Sequence, residues 1–384
     1  MECKESASAE QVKLEINDRV EPKVATATAR LDQWLKMLVA EKGSDLLLIP
    51  GAPASIRLEG EVRSIGGTLL EGPEIEAIVS SALTPHALKE YQEVQIADSS
   101  YRLSGVGRFR INLHRQQGQA AAAIRALPTK VPAIKDLNLP PSVESLAHLP
   151  RGLVLIGGPA GSGKTTTLAA LVHAINQSKP RHIITIEDPI EYEHLHLRGL
   201  VEQVEIGLDA PDFPTALRAA VRQAPDVIVV GEMRDSETMR IAVRAAETGH
   251  LVLSTVHTTD VASAVSRISD SFPLQRQNAV RQELAMALAA VLTQVLLPSR
   301  RGGRVPAAEL LMLGYAGRQH IRRNTLQHLH QEITMTKNKG SFTLEESLAQ
   351  LIKSGSLERE DALIAAFHPD DLNSILRADP LARM

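Results

Sequence analysis

The sequence predicts an α/β chain with a mixed α+β domain first, a helix-covered parallel sheet next, and a helical region at the C-terminal end. Three observations lead to this prediction. From Arg151 onward, short apolar strands alternate with amphipathic helices, as in sheets buried on both faces. Residues 128–150 carry five prolines and little periodicity, which marks a domain boundary. A glycine-rich loop, Gly158–Thr165, follows the first strand after that boundary.

The predicted organisation has five parts. They are a polar tail over residues 1–28, an N-terminal domain over 29–135, a linker over 136–150, a sheet core over 151–305 and a helical region over 306–384. The tail has no apolar stretch of the kind that a secretory signal needs, so we expect none.

Composition excludes several classes of protein. The 384 residues include 42 Lys and Arg against 45 Asp and Glu, and a net charge of −3 argues against a nucleic-acid binder. The single cysteine, Cys3, excludes an internal disulfide and a four-cysteine zinc site. No apolar run reaches the roughly 18 residues of a membrane span, and we predict that Leu284–Leu297 is a buried helix. We expect a soluble protein of a reducing compartment.

The N-terminal domain has weaker signals, taken here in chain order. A helix is predicted from Ala29, with apolar residues at helical spacing, to its end at Gly43. Further expected elements are strands at Leu46–Ile49, Ser55–Leu58 and Val94–Ala97 and a helix at Pro73–Leu83.

Strict alternation over Gly107–Arg115 predicts a strand with one apolar and one polar face. Arg108 and Arg110 share the polar face. Two interpretations stay open: a solvated face, or a pair of arginines that meets an anionic ligand.

The strand Leu153–Ile156 leads into a loop that fits G-x-x-x-x-G-K-[ST] at every fixed position, and a helix is predicted to follow from Thr165 to Ser178. Glycines allow consecutive backbone N–H groups to approach phosphate oxygens, and the helix N-terminus adds partial positive charge. The predicted nucleotide-binding residues of this segment are Gly158, Pro159, Ala160, Gly161, Ser162, Gly163, Lys164, Thr165 and Thr166. We expect Lys164 to neutralise the β- and γ-phosphates and the Thr165 hydroxyl to bind Mg²⁺, with ATP as the nucleotide.

Three further segments place acidic or imidazole groups after predicted strands, where ligands of open α/β sheets bind. Glu187 and Asp188 follow one strand, Glu232 follows a second and His257 a third. We expect Glu232 to orient or deprotonate the attacking water, Glu187 to reach the metal, and His257 to contact the γ-phosphate. The alternatives are helix N-caps for the acids and a structural role for the histidine.

Arginines form the last group of candidates. Arg218 and Arg222 lie four residues apart, as do Arg240 and Arg244, and Arg234 directly follows the Glu232 segment. Most arginines on helices are solvated. However, this chain has more arginines than one phosphate loop needs, which favours a ring in which each subunit supplies positive charge to its neighbour's γ-phosphate.

Four segments together resemble the type IV pilus retraction ATPases, the PilT/PilU group of the type II/IV secretion ATPase superfamily. They correspond to the family's Walker A, Asp-box, Walker B and His-box motifs, and lie at Gly158–Thr165, Thr185–Glu191, Arg222–Asp235 and Ala246–Thr258. Gly231 occupies the position at which a usual Walker B strand has aspartate, and a glycine at this position is typical of the family. Thr129–Pro141 and Arg222–Asp226 resemble PilU more than PilT.

The resemblance implies a PAS-like N-terminal domain, a RecA-like P-loop ATPase domain and a homohexamer that couples ATP hydrolysis to pilus disassembly at the inner-membrane platform protein. It implies a cytoplasmic protein associated peripherally with the inner membrane. It also implies that Arg108 and Arg110 face phosphate, and that Glu232, Glu187, His257 and Arg222 carry catalysis.

Other functions stay open. The chain fits an accessory nucleotide-binding subunit that works with a paralogous retraction ATPase, or an assembly or secretion motor. Relatives of the last kind carry a four-cysteine zinc element that this chain cannot build. The stretch Ala316–Thr325 follows the family's C-terminal motif only loosely.

Overall fold

The computed structural model describes residues 28–378, so Cys3 and nearly all of the predicted tail lie outside the described residues. The chain divides between Thr129 and Lys130 into two compact units. The predicted start of the sheet core, at Arg151, lies well inside the second unit.

The first unit consists of helices and an antiparallel sheet. Its elements are α1 (28–40), β1 (Asp45–Leu48), β2 (Ser55–Leu58), β3 (Glu61–Ser64), α2 (Gly72–Ser80), α3 (Pro85–Val94), β4 (Ala97–Leu103), β5 (Gly107–Gln116) and β6 (Gln119–Ala126). The six strands lie in the order β3-β2-β1-β6-β5-β4.

One face of this sheet forms the core of the first unit. Phe109, Ile111 and Leu113 of β5 are fully buried and pack with Leu31 and Leu35 of α1. Each such side chain contributes about 1.5–3 kcal/mol of hydrophobic stabilisation. The alternation predicted for β5 is therefore confirmed.

The strand predicted at Val94–Ala97 is wrong. Val94 is the last residue of α3, the left-handed Gln95 (φ 65°) ends that helix, and β4 begins only at Ala97. A glutamine in a left-handed conformation gives no sequence signal of a helix end, since glycine is the usual residue there.

The second unit begins with two 3-10 helices, Ile134–Leu137 and Pro141–His148. Its sheet core contains β7 (Gly152–Gly157), α4 (Lys164–Ser178), β8 (His182–Glu187), β9 (Leu200–Glu205), α5 (Phe213–Ala220), β10 (Val227–Val230), α6 (Ser236–Glu247), β11 (Leu251–Val256), α7 (Val261–Asp270), α8 (Leu274–Ala287), β12 (Leu288–Pro298) and β13 (Arg304–Met312). Helices follow: α9 (Tyr315–Arg322), α10 (Leu329–Met335), α11 (Leu344–Lys353), α12 (Arg359–Ala365) and α13 (Pro369–Ala378).

The seven strands lie in the order β13-β12-β7-β11-β10-β8-β9, all parallel except β13, which is antiparallel to β12. Leu153 and Leu155 of β7 point into one core cluster, and Val154 and Ile156 point into the other. Both faces are thus buried, as the apolar strands predicted, and the carboxyl ends of the parallel strands share one edge.

The predicted linker over residues 136–150 differs from what the structure shows. Leu139, Val143 and Leu146 are buried in the core cluster that α4 joins, so this segment is a packed part of the second unit. Prolines at 140 and 141 fit its 3-10 helical geometry, which has no 3.6-residue periodicity to detect.

The helix predicted at Leu284–Leu297 is wrong as well. α8 ends at Ala287, and Leu288 begins the long strand β12 between β7 and β13. A continuous apolar run fits a buried strand and a buried helix equally well. The sheet also continues to Met312, past the predicted core boundary at residue 305. Among the described residues, no helix is long and apolar enough to span a membrane.

Candidate functional site

The glycine-rich loop lies at the carboxyl edge of the second sheet. β7 ends at Gly157, the loop follows, and Lys164 is the first residue of α4. Gly158, Gly161 and Gly163 have φ values of 151°, 72° and 86°, which are accessible mainly to glycine. The sequence folds in this way because only these glycines allow the chain to turn from strand into helix within so few residues.

Two of these glycines meet different surroundings. A Cβ atom at Gly158 would lie 2.5 Å from the backbone oxygen of Gln294, so the loop is pressed against β12 there. A Cβ atom at Gly161 would meet nothing within 4 Å, so the loop is open at that point. One side of the loop is therefore packed, and the other is free for a ligand.

Lys164 is 7% exposed, and its Nζ donates to the backbone oxygens of Gly158 and Pro159, both at 2.9 Å. Burial lowers the pKa of Lys164, while the carboxylates of Glu232 and Glu191 oppose that shift. The ammonium group is thus held over the loop and faces acids, the position from which it can neutralise a phosphate.

Glu187 is the last residue of β8. Thr185 Oγ1 donates to its Oε1 at 2.7 Å, and Gln203 Nε2 donates to the same oxygen at 3.4 Å. Burial raises the pKa of Glu187 to about 7, although both hydrogen bonds favour the carboxylate. Nearby, Thr166 Oγ1 lies 3.0 Å from the Tyr192 hydroxyl, which joins the first turn of α4 to the loop after β8.

Glu232 lies between two basic side chains. Arg234 Nε donates to its Oε2 at 2.9 Å, and His257 Nε2 lies 3.2 Å from its Oε1. Arg234 Nη1 also lies 3.6 Å from Asp188 Oδ2. Asp188, Glu232 and His257, which follow three different strands, are therefore linked through these contacts and through Arg234.

The arginines predicted to act here belong to two different parts of the chain. Arg222 is exposed and precedes β10, so it lies toward the amino edge of the sheet, opposite Glu232. Arg108 and Arg110 belong to β5 of the first unit, where Arg110 Nη2 pairs with Asp98 at 3.3 Å. The structure gives Arg222 no contact with its own chain's site.

Sequence reasoning missed Gln203, Tyr192 and Gln294. Gln203 reaches Glu187 from the neighbouring strand β9, and also donates to the backbone oxygen of Tyr192 at 2.9 Å. Gln294 reaches the phosphate loop from β12. No local pattern marks these residues, because sheet neighbours that are far apart in sequence create the contacts.

The donor set fits a nucleoside triphosphate with Mg²⁺. The loop has an open face, a lysine ammonium and a helix N-terminus, which suit phosphate oxygens. The hydroxyl of Thr165 and the carboxylate of Glu187 are hard oxygen ligands, which Mg²⁺ prefers. No cluster of three acidic, histidine or cysteine side chains suited to a metal occurs among residues 28–378, and Mg²⁺ bound through phosphates needs none.

Comparison with known proteins places this site in a family. Residues 136–359 match the family model described as "Type II/IV secretion system protein". The chain is 39% identical over 341 residues to the "Type IV pilus retractation ATPase PilT" of Pseudomonas aeruginosa, covering 89% of this chain and 99% of that protein. The chain belongs to the PilT/PilU family of the type II/IV secretion ATPase superfamily.

Two further comparisons support this family assignment. The "Type IV pilus ATPase PilU" of the same organism is 35% identical over 90% of this chain and 91% of its own length. A solved structure described as "Crystal Structure of the Pilus Retraction Motor PilT and Bound ADP" superposes with a TM-score of 0.81 at 42% identity, covering 89% of this chain and 98% of that one. The predicted fold class is thereby confirmed, and the chain is a P-loop ATPase. Its identity to PilT exceeds its identity to PilU, so the expected closeness to PilU gains no support.

Proposed function

We propose that this protein is a hexameric, ATP-hydrolysing motor that drives type IV pilus retraction and hence twitching motility. The observation that carries the proposal is the likeness to a pilus retraction ATPase over 99% of that protein's length. The gathering of Lys164, Glu232 and His257 at one sheet edge supports hydrolysis as the energy source.

In the proposed site, the loop amides, Lys164 and Thr166 hold the nucleotide phosphates. Thr165 and Glu187 would hold Mg²⁺, which would neutralise charge at the phosphates. Glu232 accepts a proton from the attacking water, and His257 keeps the Glu232 carboxylate aimed through the 3.2 Å contact. Arg234, fixed between Glu232 and Asp188, holds the acids in place.

Arginines from other chains or domains would complete the site. The phosphate-facing role of Arg108 and Arg110 stays a prediction. For Arg222 we propose a role only at a neighbouring subunit's nucleotide, because within its own chain it lies at the opposite edge of the sheet from Glu232. The proposed partners are five further copies of the chain and the inner-membrane platform protein of the pilus, at the cytoplasmic face of that membrane.

A second candidate function is an accessory subunit that works beside a paralogous retraction motor. The 35% identity to PilU supports this second candidate. The third, an assembly or secretion motor, is disfavoured by the single cysteine, which cannot build those motors' four-cysteine zinc element. Purified chain alone should hydrolyse ATP if it is a motor, while an accessory subunit needs its paralogue for turnover.

Deletion of the gene in its host tests the direction of the motor. Excess pili without twitching indicate retraction, and cells without pili indicate assembly and overturn the proposal. Complementation with Glu232→Gln should fail, and Glu90→Gln, at an exposed position of α3, should restore twitching. Sedimentation of the chain with a non-hydrolysable ATP analogue should give six subunits, and a stable monomer contradicts the hexamer.

A further inference from the structure

Gln294 forms a two-sided bridge at the phosphate loop. Its Nε2 donates to the backbone oxygen of Ser162 at 2.6 Å, and its Oε1 accepts from Thr167 Oγ1 at 2.9 Å. All three residues are buried: Gln294 is 4% exposed, Thr167 2% and Ser162 3%. The bridge joins the last part of the loop to the first turn of α4.

Sheet geometry places Gln294 at this point. Thr293 of β12 pairs with Gly157, the last residue of β7, so β12 continues past the end of its neighbour. The next residue of β12 therefore lies beside the loop. Its backbone oxygen stands against Gly158, and its Nε2 would lie 3.1 Å from a Cβ atom at Gly163. The two glycines leave the space that Gln294 fills.

Chemistry fixes the orientation of the Gln294 amide. A backbone carbonyl only accepts hydrogen bonds, so the NH₂ end of the amide must face Ser162. The oxygen end then faces Thr167, whose hydroxyl donates. Glutamate has nearly the same shape but no donor, so it cannot replace glutamine here.

The bridge sets the direction of a backbone N–H group. In a planar trans peptide the C=O and the following N–H point in opposite directions. Because Gln294 holds the Ser162 carbonyl on the β12 side, the N–H of Gly163 points away from β12. Phosphate-binding loops depend on such N–H groups converging on one anion.

We propose that Gln294 is the positioning residue of the phosphate loop, and that Thr167 fixes the Gln294 amide. In this role Gln294 acts through the Ser162–Gly163 peptide. This inference rests on the nucleotide site proposed above, since it assigns the cause of that site's preorganisation.

Binding of MgADP to the purified full-length chain, measured by calorimetry, tests the proposal. Gln294→Glu should weaken binding about ten- to hundredfold, because it loses a buried hydrogen bond and places a carboxylate oxygen against the Ser162 carbonyl. Gln177→Glu, an exposed position on α4 with the same charge change, should bind as the wild type does. In turnover, Gln294→Glu should raise KM for ATP more than it lowers kcat.

The Thr167 pair gives a second test that needs little change in packing. Thr167→Val loses the hydroxyl and should weaken MgADP binding severalfold, whereas Thr167→Ser keeps it and should restore wild-type affinity. In the double variant Gln294→Leu with Thr167→Val, the loss should be smaller than the product of the two single losses, because both break one bridge.

The outcomes separate the two proposals. If the folded wild type binds MgADP and folded Gln294→Glu binds it equally well, the bridge is not a positioning device. If Gln294→Glu fails to fold, equal affinities of Thr167→Val and Thr167→Ser overturn the inference instead. If the folded wild type binds no nucleotide, the proposed site itself falls, and the inference falls with it.

Discussion

His257 and Glu232 meet at 3.2 Å, although they follow different strands, β11 and β10. The contact joins the His-box and Walker B segments into one unit beside Lys164. Because the two strands are parallel neighbours, their carboxyl ends deliver both side chains to the same edge of the sheet.

Glu232→Gln should abolish turnover and leave nucleotide binding intact. The amide cannot accept a proton from water, so kcat should fall by about 10²–10⁴-fold, the range typical of a lost general base. MgATP should bind as tightly as before or more tightly, since a negative charge near the phosphates is removed. Steady-state ATPase assays and calorimetry measure both. An unchanged kcat contradicts the role given to Glu232.

His257→Gln should keep more activity than His257→Ala. Glutamine retains a donor for the Glu232 carboxylate, and alanine leaves that carboxylate held only by Arg234. We expect a clear difference in kcat at saturating ATP, with KM nearly equal in the two variants. Identical kcat values for the two would show that the contact does not aim Glu232.

Lys164→Met should cost far more nucleotide affinity than stability. The variant loses the two hydrogen bonds from Nζ to the Gly158 and Pro159 oxygens, but it also removes a buried charge, and burial already lowers the pKa of Lys164. Because these effects offset each other in part, we expect the free energy of unfolding in urea to fall by no more than about 2 kcal/mol, while MgATP binding becomes undetectable. A large loss of stability would mean that the lysine holds the loop together in the absence of ligand.

Two glycine variants should separate loop packing from loop conformation. Gly161→Ala enters open space and carries only the left-handed backbone penalty of about 1–2 kcal/mol. Gly158→Ala, at φ 151°, carries a backbone penalty at least as large and also presses a methyl group against the Gln294 backbone. Urea unfolding should therefore rank Gly158→Ala as the more destabilised variant. The reverse order would contradict the close approach of the loop to β12.

Stability should depend on pH through Glu309, which is 3% exposed on β13. Burial raises its pKa from the ordinary 4.5 to about 7, and the nearby Glu345 and Asp260 add to the rise. The folded state thus binds the proton more tightly than the unfolded state. The stabilisation is complete below pH 4.5 and is lost as the pH rises through about 7.

As the pH rises from 4.5 to 7, the wild type should therefore lose free energy of unfolding relative to Glu309→Gln, by up to about 3 kcal/mol. Above pH 7 the difference should be constant. Glu247→Gln, at an exposed position, should show no such trend. Parallel curves for wild type and Glu309→Gln would contradict a buried, protonated Glu309.

Sequence patterns predicted the parts of the site that depend on local chain geometry. The loop from Gly158 to Thr165 needs glycines at fixed spacing, and the acids Glu187 and Glu232 follow visible apolar strands. Gln294 and Gln203 could not be predicted, because each acts across the sheet on residues distant in sequence.

The errors in the fold have similar causes. The change from helix to strand between Ala287 and Leu288 occurs inside one apolar run, without glycine or proline to mark it. Residues 136–150 were predicted to be a linker because their prolines interrupt the periodicity that would indicate the burial of Val143 and Leu146. Tertiary packing, which local propensity does not report, decided both cases.

Strand β12 connects the phosphate loop to the strand β13, against which the C-terminal helix α11 packs. It flanks the nucleotide loop on one side and is bonded along its length to β13 on the other, where the backbone N–H of Ala308 donates to Ser347 of α11. The path from α11 to Gln294 thus runs through the hydrogen-bonded pair of strands β13 and β12. Any displacement of α11 that is passed to β13 would therefore reach the side chain beside the loop through the main-chain hydrogen bonds of two neighbouring strands.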